Sequence, residues 1–180
     1  MSLSDVTPSV AAPAALSAEF RRLFDAEFGY VCRSLQRLGV RGSDLQDVAQ
    51  ELFVAIHHHL PGFDRSRPLR PWLFSFSLRF AANYRRLMRN RGHLPEAVLR
   101  VHADAASNGI EARDLVLRAL GELDFERRAV IVMHDLEGFA APEIAELLGI
   151  PLNTAYSRLR LGRSEFRAAV ERLQVKTGAS

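Results

Sequence analysis

Ser75, Arg79, Asn83, Arg86 and Asn90 recur at steps of three and four residues, with no acid among them. Trp72, Phe76, Phe80 and Tyr84 are interleaved at every fourth position. Arginine binds phosphate and aromatic rings stack on bases, so this combination suits the holding of single-stranded nucleic acid. The same rings also fit a plain core stripe on one face of a helix. The stretch around them is strongly basic, with eight arginines and neither Asp nor Glu from Arg65 to Arg91.

A second nucleic-acid signal lies between Ala141 and Arg167. A short apolar-periodic segment (Ile144, Ala145, Leu147, Leu148) meets Gly149, then Ile150-Pro151-Leu152, and restarts at Asn153, whose side chain suits an N-cap. This reads as a helix-turn-helix, with Ala145 and Gly149 small enough for a close crossing. On a helical wheel Ala155, Leu159, Gly162 and Phe166 face inward, while Ser157, Arg160, Leu161, Ser164 and Arg167 face outward.

A third group is acidic. Asp44, Asp47, Gln50 and Glu51 share the polar face of a segment whose other face is Leu45, Val48, Ala49, Leu52, Phe53 and Ile56. Such a face is either a solvated surface or a docking site for a basic partner. Catalytic chemistry finds no comparable set. His57, His58 and His59 are adjacent, so on a helix they point about 100° apart and cannot converge on one metal. Together with Asp64 they supply no convergent nucleophile, metal shell or phosphate cradle, and neither an enzyme activity nor a cofactor is expected.

These groups need helices to position them. Ser17 caps a first helix that carries Phe20, Leu23, Phe24, Val31, Leu35 and Leu38 and stops at Gly39. Ser43-Asp44-Leu45-Gln46 is a capping-box pattern that opens a second, ended by Pro61-Gly62. Pro71 suits the first turn of a third, running to about Arg89. Residues 92–110 lose periodicity and carry Pro95 and Ser107-Asn108-Gly109, which predicts a linker with a transient helix at Glu96–His102. Helices at 111–120 and 124–135 precede the helix-turn-helix, whose last helix reaches about Leu173. The predicted fold is all-α: two small helical domains, 17–91 and 111–174, joined by a flexible linker, with tails at 1–16 and 175–180.

Composition agrees. The chain has 180 residues, 48% of them hydrophobic, enough for packed cores. Formal net charge is only +3, yet the sequence pI of about 9.6 favours a polyanionic partner. Acids outnumber arginines from Glu111 to Glu146, so the basic surface comes as two patches. Lone Cys32 cannot form an internal disulfide, and no stretch reads as a signal or membrane segment, which predicts a cytoplasmic protein without membrane insertion.

The two halves together resemble an extracytoplasmic-function sigma factor of bacterial RNA polymerase, of the sigma-70 family, which keeps only conserved regions 2 and 4. The resemblance rests on the run Asp44 to Phe53, on Phe63-Asp64 leading to Arg70-Pro71-Trp72-Leu73, and on Ala119 to Leu123. It continues in Leu136-Glu137-Gly138-Phe139, Glu143-Ile144-Ala145, Leu148 to Pro151, and Asn153 to Leu159. It implies that Asp44, Asp47, Gln50, Glu51 and Phe53 dock on the clamp helices of the polymerase's largest subunit. Trp72, Ser75, Arg79, Asn83 and Arg86 would read and open the minus-ten element of promoter DNA. Thr154, Tyr156, Ser157, Arg158, Arg160, Leu161 and Arg163 would read the minus-thirty-five element in the major groove. The flap of the second-largest subunit and an anti-sigma factor are the further implied partners. The alternative is an ordinary helix-turn-helix repressor or activator, whose N-terminal half would sense a ligand or dimerise.

Overall fold

The computed structural model describes residues 13–90 and 108–178, and every regular element among them is helical. The N-terminal half is α1 (Pro13–Arg37), α2 (Leu45–His59) and α3 (Leu69–Asn90). The C-terminal half is α4 (Asn108–Gly121), α5 (Phe125–Ile131), α6 (Ala141–Leu148) and α7 (Leu152–Gly178). The predicted linker helix at Glu96–His102 lies outside the described residues.

Gly39 ends the first helical segment as expected, and the geometry says why glycine is there. Its φ is +102°, and Gly39 N–H and Val40 N–H bond back to Gln36 O and Leu35 O, each at 3.0 Å. This is a left-handed stop that satisfies two orphan carbonyls. Gly149 does the same after α6, with φ +63° and Ile150 N–H on Ala145 O at 3.0 Å. A Cβ on Gly149 would meet nothing within 4 Å. Glycine therefore serves the turn there, not the close crossing predicted from its size. The close approach lies instead at Gly162, where a Cβ would sit 2.9 Å from Ile131 Cγ1, so α5 and α7 touch nearly backbone to side chain.

Three other expectations are corrected. The capping box at Ser43–Gln46 does not form: Gly42–Asp44 is a single 3-10 turn without a side-chain cap. Asp44 is occupied otherwise, accepting from Ser43 Oγ at 3.2 Å and from Tyr84 Oη at 2.5 Å. Asn153 does not cap α7 but lies within it. The first bonds go to Pro151 O, from Thr154 N–H at 2.9 Å and Ala155 N–H at 3.1 Å. The single helix expected at 124–135 is α5 followed by a π-helical turn at Val132–Leu136. Gly138, at φ +78°, then lets Phe139 N–H return to Met133 O at 2.9 Å.

Burial follows the apolar periods. In the N-terminal half Val31, Leu35, Leu52, Ile56, Leu73 and Phe74 are fully enclosed, and in the C-terminal half Val130, Val132, Met133, Ile144 and Ala155 are. Each large side chain so buried contributes roughly 1.5–3 kcal/mol of transfer free energy. Most buried side chains of both halves join in one cluster, with Phe74 of α3 edge-on to Phe139 at 5.6 Å between centroids, and Ala119, Ala169 and Leu173 form a smaller second one. No helix among the described residues is long and apolar enough to cross a membrane.

Candidate nucleic-acid and docking interfaces

The polar face of α2 is built because the opposite face is core. Asp47, Gln50, Glu51, Val54 and His58 are all exposed and fall at helical spacing on one side. Val54, 59% exposed, is an apolar spot that polar periodicity had passed over. Two of the residues expected there behave differently. Phe53 is only 2% exposed and sits among the rings of Phe20, Phe24 and Phe28, so it anchors the helix and offers no surface. Asp44 is half-buried and bonded to Tyr84, so its carboxylate ties α2 to α3.

The arginine-rich stretch divides by whether a carboxylate answers each guanidinium. Arg65 pairs with Glu19 at 2.8 Å, Arg70 lies 3.8 Å from Glu27, and Arg67 lies 3.8 Å from Glu146. These acids come from distant sequence, so their absence from the stretch itself is misleading. Among the described residues no carboxylate comes within ion-pair distance of Arg79, Arg86 or Arg89, all exposed. Arg79 lies over the Phe76 ring at 4.6 Å, and Arg86 donates to Asn83 Oδ1 at 2.9 Å. Trp72 is half-buried between Phe63, 4.6 Å away, and Phe76, 5.0 Å away. Phe76 is only 3% exposed and serves as packing, so the half-buried Trp72 and Phe63 are the rings left beside the unneutralised cations, the combination that base stacking and phosphate contact require. Ser75 turns its hydroxyl to Trp72 O at 2.7 Å and is half-buried.

The same division holds on α7. Arg158, 23% exposed in its side chain, pairs with Glu126, and Arg163 pairs with Asp135 at 2.5 Å. The Arg163 guanidinium, as hydrogen-bond donor, holds the Asp135 carboxyl below the usual carboxylate range. Arg160 and Arg167 are exposed and find no carboxylate among the described residues. Tyr156, Arg160, Ser164 and Arg167 line one outward groove with His134. Tyr156 is 53% exposed and Leu161 40%, Ser157 is exposed, and Thr154 is half-buried near the turn. Helix α6 gains a partial N-terminal cap from Glu143, whose carboxylate accepts Ala140 N–H at 2.7 Å.

The residues once open to a catalytic reading have structural tasks. Asp64 accepts Ser66 N–H at 2.9 Å and Ser66 Oγ at 2.7 Å, a turn in the loop before α3. These bonds hold its pKa down. His57 sets its ring edge against Phe20 at 4.8 Å. Among the described residues no group of three potential ligands could hold a metal.

Comparison with known proteins agrees with this arrangement. Residues 23–91 match the family model for Sigma-70 region 2, and residues 113–166 match that for Sigma-70, region 4. The first match occupies the half that a ligand-sensing repressor would have needed for its sensor. The ECF RNA polymerase sigma factor SigL of Mycobacterium tuberculosis is 31% identical over 173 residues, 91% of this chain and 96% of that protein. RNA polymerase sigma factor CnrH of Cupriavidus metallidurans is 30% identical over 154 residues, 78% of this chain and 81% of its own length. A solved structure of CnrH in complex with the cytosolic domain of CnrY superposes with a TM-score of 0.63, covering 93% of this chain and 99% of that one. The sigma factor RpoE of Bartonella quintana, solved in complex with the anti-sigma factor NepR, shares the fold at a TM-score of 0.70 with 19% identity, covering 85% of this chain and 97% of that one. The chain therefore belongs to the extracytoplasmic-function sigma factors of the sigma-70 family, non-enzymatic proteins that direct RNA polymerase to initiate transcription.

Proposed function

We propose that three surfaces divide the work of this sigma factor, and that the sorting of its arginines into paired and unpaired sets marks two of them. Arg79 and Arg86, with Asn83 and the half-buried Trp72, take the minus-ten strand as it separates. Arg160, with Tyr156, Ser157, Leu161 and Arg167, enters the major groove at the minus-thirty-five element. Arg158 and Arg163 act chiefly by holding α7 against Glu126 and Asp135. Supporting this reading, a guanidinium that already carries a counter-ion gains less from phosphate than an unpaired one.

The third surface is the face of Asp47, Gln50, Glu51 and Val54, which docks on the clamp helices of the polymerase's largest subunit, while the C-terminal half meets the flap of the second-largest subunit. A protein that acts at chromosomal promoters works in the cytoplasm, and that is the compartment this reading expects. Because CnrH is solved with CnrY and RpoE with an anti-sigma factor, an anti-sigma factor is the regulator this reading expects.

The docking face is the sharpest test. Asp47→Arg combined with Glu51→Arg replaces attraction by repulsion at exposed positions that the fold does not use. Binding to core polymerase is expected to weaken at least tenfold, roughly 1.4 kcal/mol, with an unchanged circular dichroism spectrum. Unchanged affinity would move docking to another face.

A further inference from the structure

We infer that His134 is a further DNA-binding residue of this sigma factor, a phosphate contact that acts in its protonated form and makes minus-thirty-five binding weaken as pH rises. The inference rests on the reading that α7 enters the major groove at that element.

The π-helical turn places the residue. Glu137 N–H bonds to Val132 O at 3.0 Å, five residues back, so the turn is wider than an α-helical one. His134 and Asp135, both on that turn, reach Arg163 of α7. Asp135 takes the guanidinium with both oxygens, Arg163 Nε donating to Oδ2 at 2.9 Å and Nη2 to Oδ1 at 2.5 Å. His134 Nδ1 lies 2.8 Å from the same Oδ1 and 3.1 Å from Arg163 Nη2. The His134 side chain is 34% exposed. Its ring lines the outward groove that Tyr156, Arg160, Ser164 and Arg167 share.

Asp135 cancels the charge of Arg163, so with a neutral imidazole this trio offers DNA no net charge. A neutral ring also satisfies only one neighbour at Nδ1, donating to Asp135 or accepting from Arg163. Protonation resolves the conflict. Nδ1–H then donates to Asp135 Oδ1, the carboxylate lies between two cations, and Nε2–H is left for an acceptor in the groove. The trio now adds a positive charge beside Arg160 and Arg167, where a DNA phosphate is the acceptor that gains from it. A phosphate beside the ring favours the charged form in turn, so binding takes up a proton and affinity falls as pH rises.

The other charged groups of α5 and α6, which also pack against the turn, are engaged elsewhere. On α5, Glu126 pairs with Arg158, Arg127 with Asp124 and Glu165, and Arg128 with backbone carbonyls. On α6, Glu143 accepts Ala140 N–H and Glu146 faces Arg67, while Glu137, just past the turn, takes Arg37. His134 is the one histidine between residues 108 and 180, and histidine is the residue type that changes charge between pH 5 and 8.

The test is the pH profile of holoenzyme binding to a duplex that carries the minus-thirty-five element its promoters share, measured against the same duplex with that element scrambled. From pH 6 to pH 8 the wild type should lose roughly tenfold in specific affinity, the change that one unit of proton linkage gives. His134→Gln should be weaker at pH 6 and nearly flat with pH, and its slope of log affinity against log salt at pH 6 should be smaller by about 1. His134→Arg, a permanent cation, should keep the affinity of the low-pH wild type at pH 8. A flat wild-type profile overturns the inference, as does a His134→Gln profile that falls as the wild type does. Arg160→Ala, run beside them, tells the two failures apart. Weaker binding by Arg160→Ala leaves the reading of α7 standing when His134→Gln has no effect, and unchanged binding in both variants overturns that reading and the inference with it.

Discussion

Tyr84 of α3 donates its hydroxyl to Asp44 Oδ2, 2.5 Å away, across 40 residues of sequence. The bond joins the helix proposed to hold separated DNA to the start of the helix proposed to dock on polymerase. Tyr84 is 7% exposed, so the ring is core and only its tip is polar.

Tyr84→Phe keeps the ring and removes the bond. Urea denaturation should show a loss of about 1.5–3 kcal/mol, the range for a hydrogen bond to a charged group. In the wild type, burial foremost and then the bond to Asp44 push the hydroxyl up to about 12. The folded pKa is raised, so the stabilisation is complete below about 10, the unfolded value, and disappears as pH climbs through 12. An ultraviolet titration that finds every tyrosine ionising near 10 would contradict the assignment.

Gly162→Ala should destabilise the C-terminal half by about 1–3 kcal/mol, since the new methyl meets Ile131 at 2.9 Å. Ile131→Ala in the same chain should recover part of the loss that the two changes would give separately, the sign of coupling between touching residues. Thermal melts of the four proteins decide it; strict additivity would mean the helices do not meet there.

Arg160→Ala and Arg158→Ala should separate cleanly. Loss of an unpaired phosphate contact weakens binding to minus-thirty-five DNA and lowers the slope of log affinity against log salt by about 1. Loss of Arg158 removes a partner of Glu126 and should leave that slope nearly unchanged. Equal slope changes in both variants would refute the sorting of arginines by counter-ion.

Much of this was legible in the sequence, because helical periodicity reports burial directly. Of the inward set, Ala155, Leu159 and Gly162 are buried and Phe166 is half-buried, while Ser157, Arg160, Leu161, Ser164 and Arg167 are all exposed. What escaped were relations between distant residues. Nothing near Arg65 or Arg70 announces Glu19 or Glu27, and nothing near Arg128 announces its contact with Leu38 O at 3.4 Å. The capping box of Ser43 and Gln46 failed for a local reason: a 3-10 turn at Gly42–Asp44 precedes α2, and the Ser43 hydroxyl donates to Asp44 Oδ1. Phe53 was grouped with the docking face by its place in a motif, although the apolar period to which it belongs already pointed it inward. The π-helical turn at Val132–Leu136 carries no local signal other than Gly138, whose positive φ closes it.

The central claim, that this chain confers promoter choice on RNA polymerase, is tested most directly by reconstitution. Purified full-length protein is mixed with core polymerase and a library of randomised promoters, and transcript start sites are sequenced. The account predicts transcripts from a subset sharing one minus-thirty-five and one minus-ten element, absent without the protein. It further predicts that Asp47→Arg with Glu51→Arg abolishes these transcripts by preventing assembly. Start sites identical with and without the protein, at concentrations where it binds core polymerase, would contradict it.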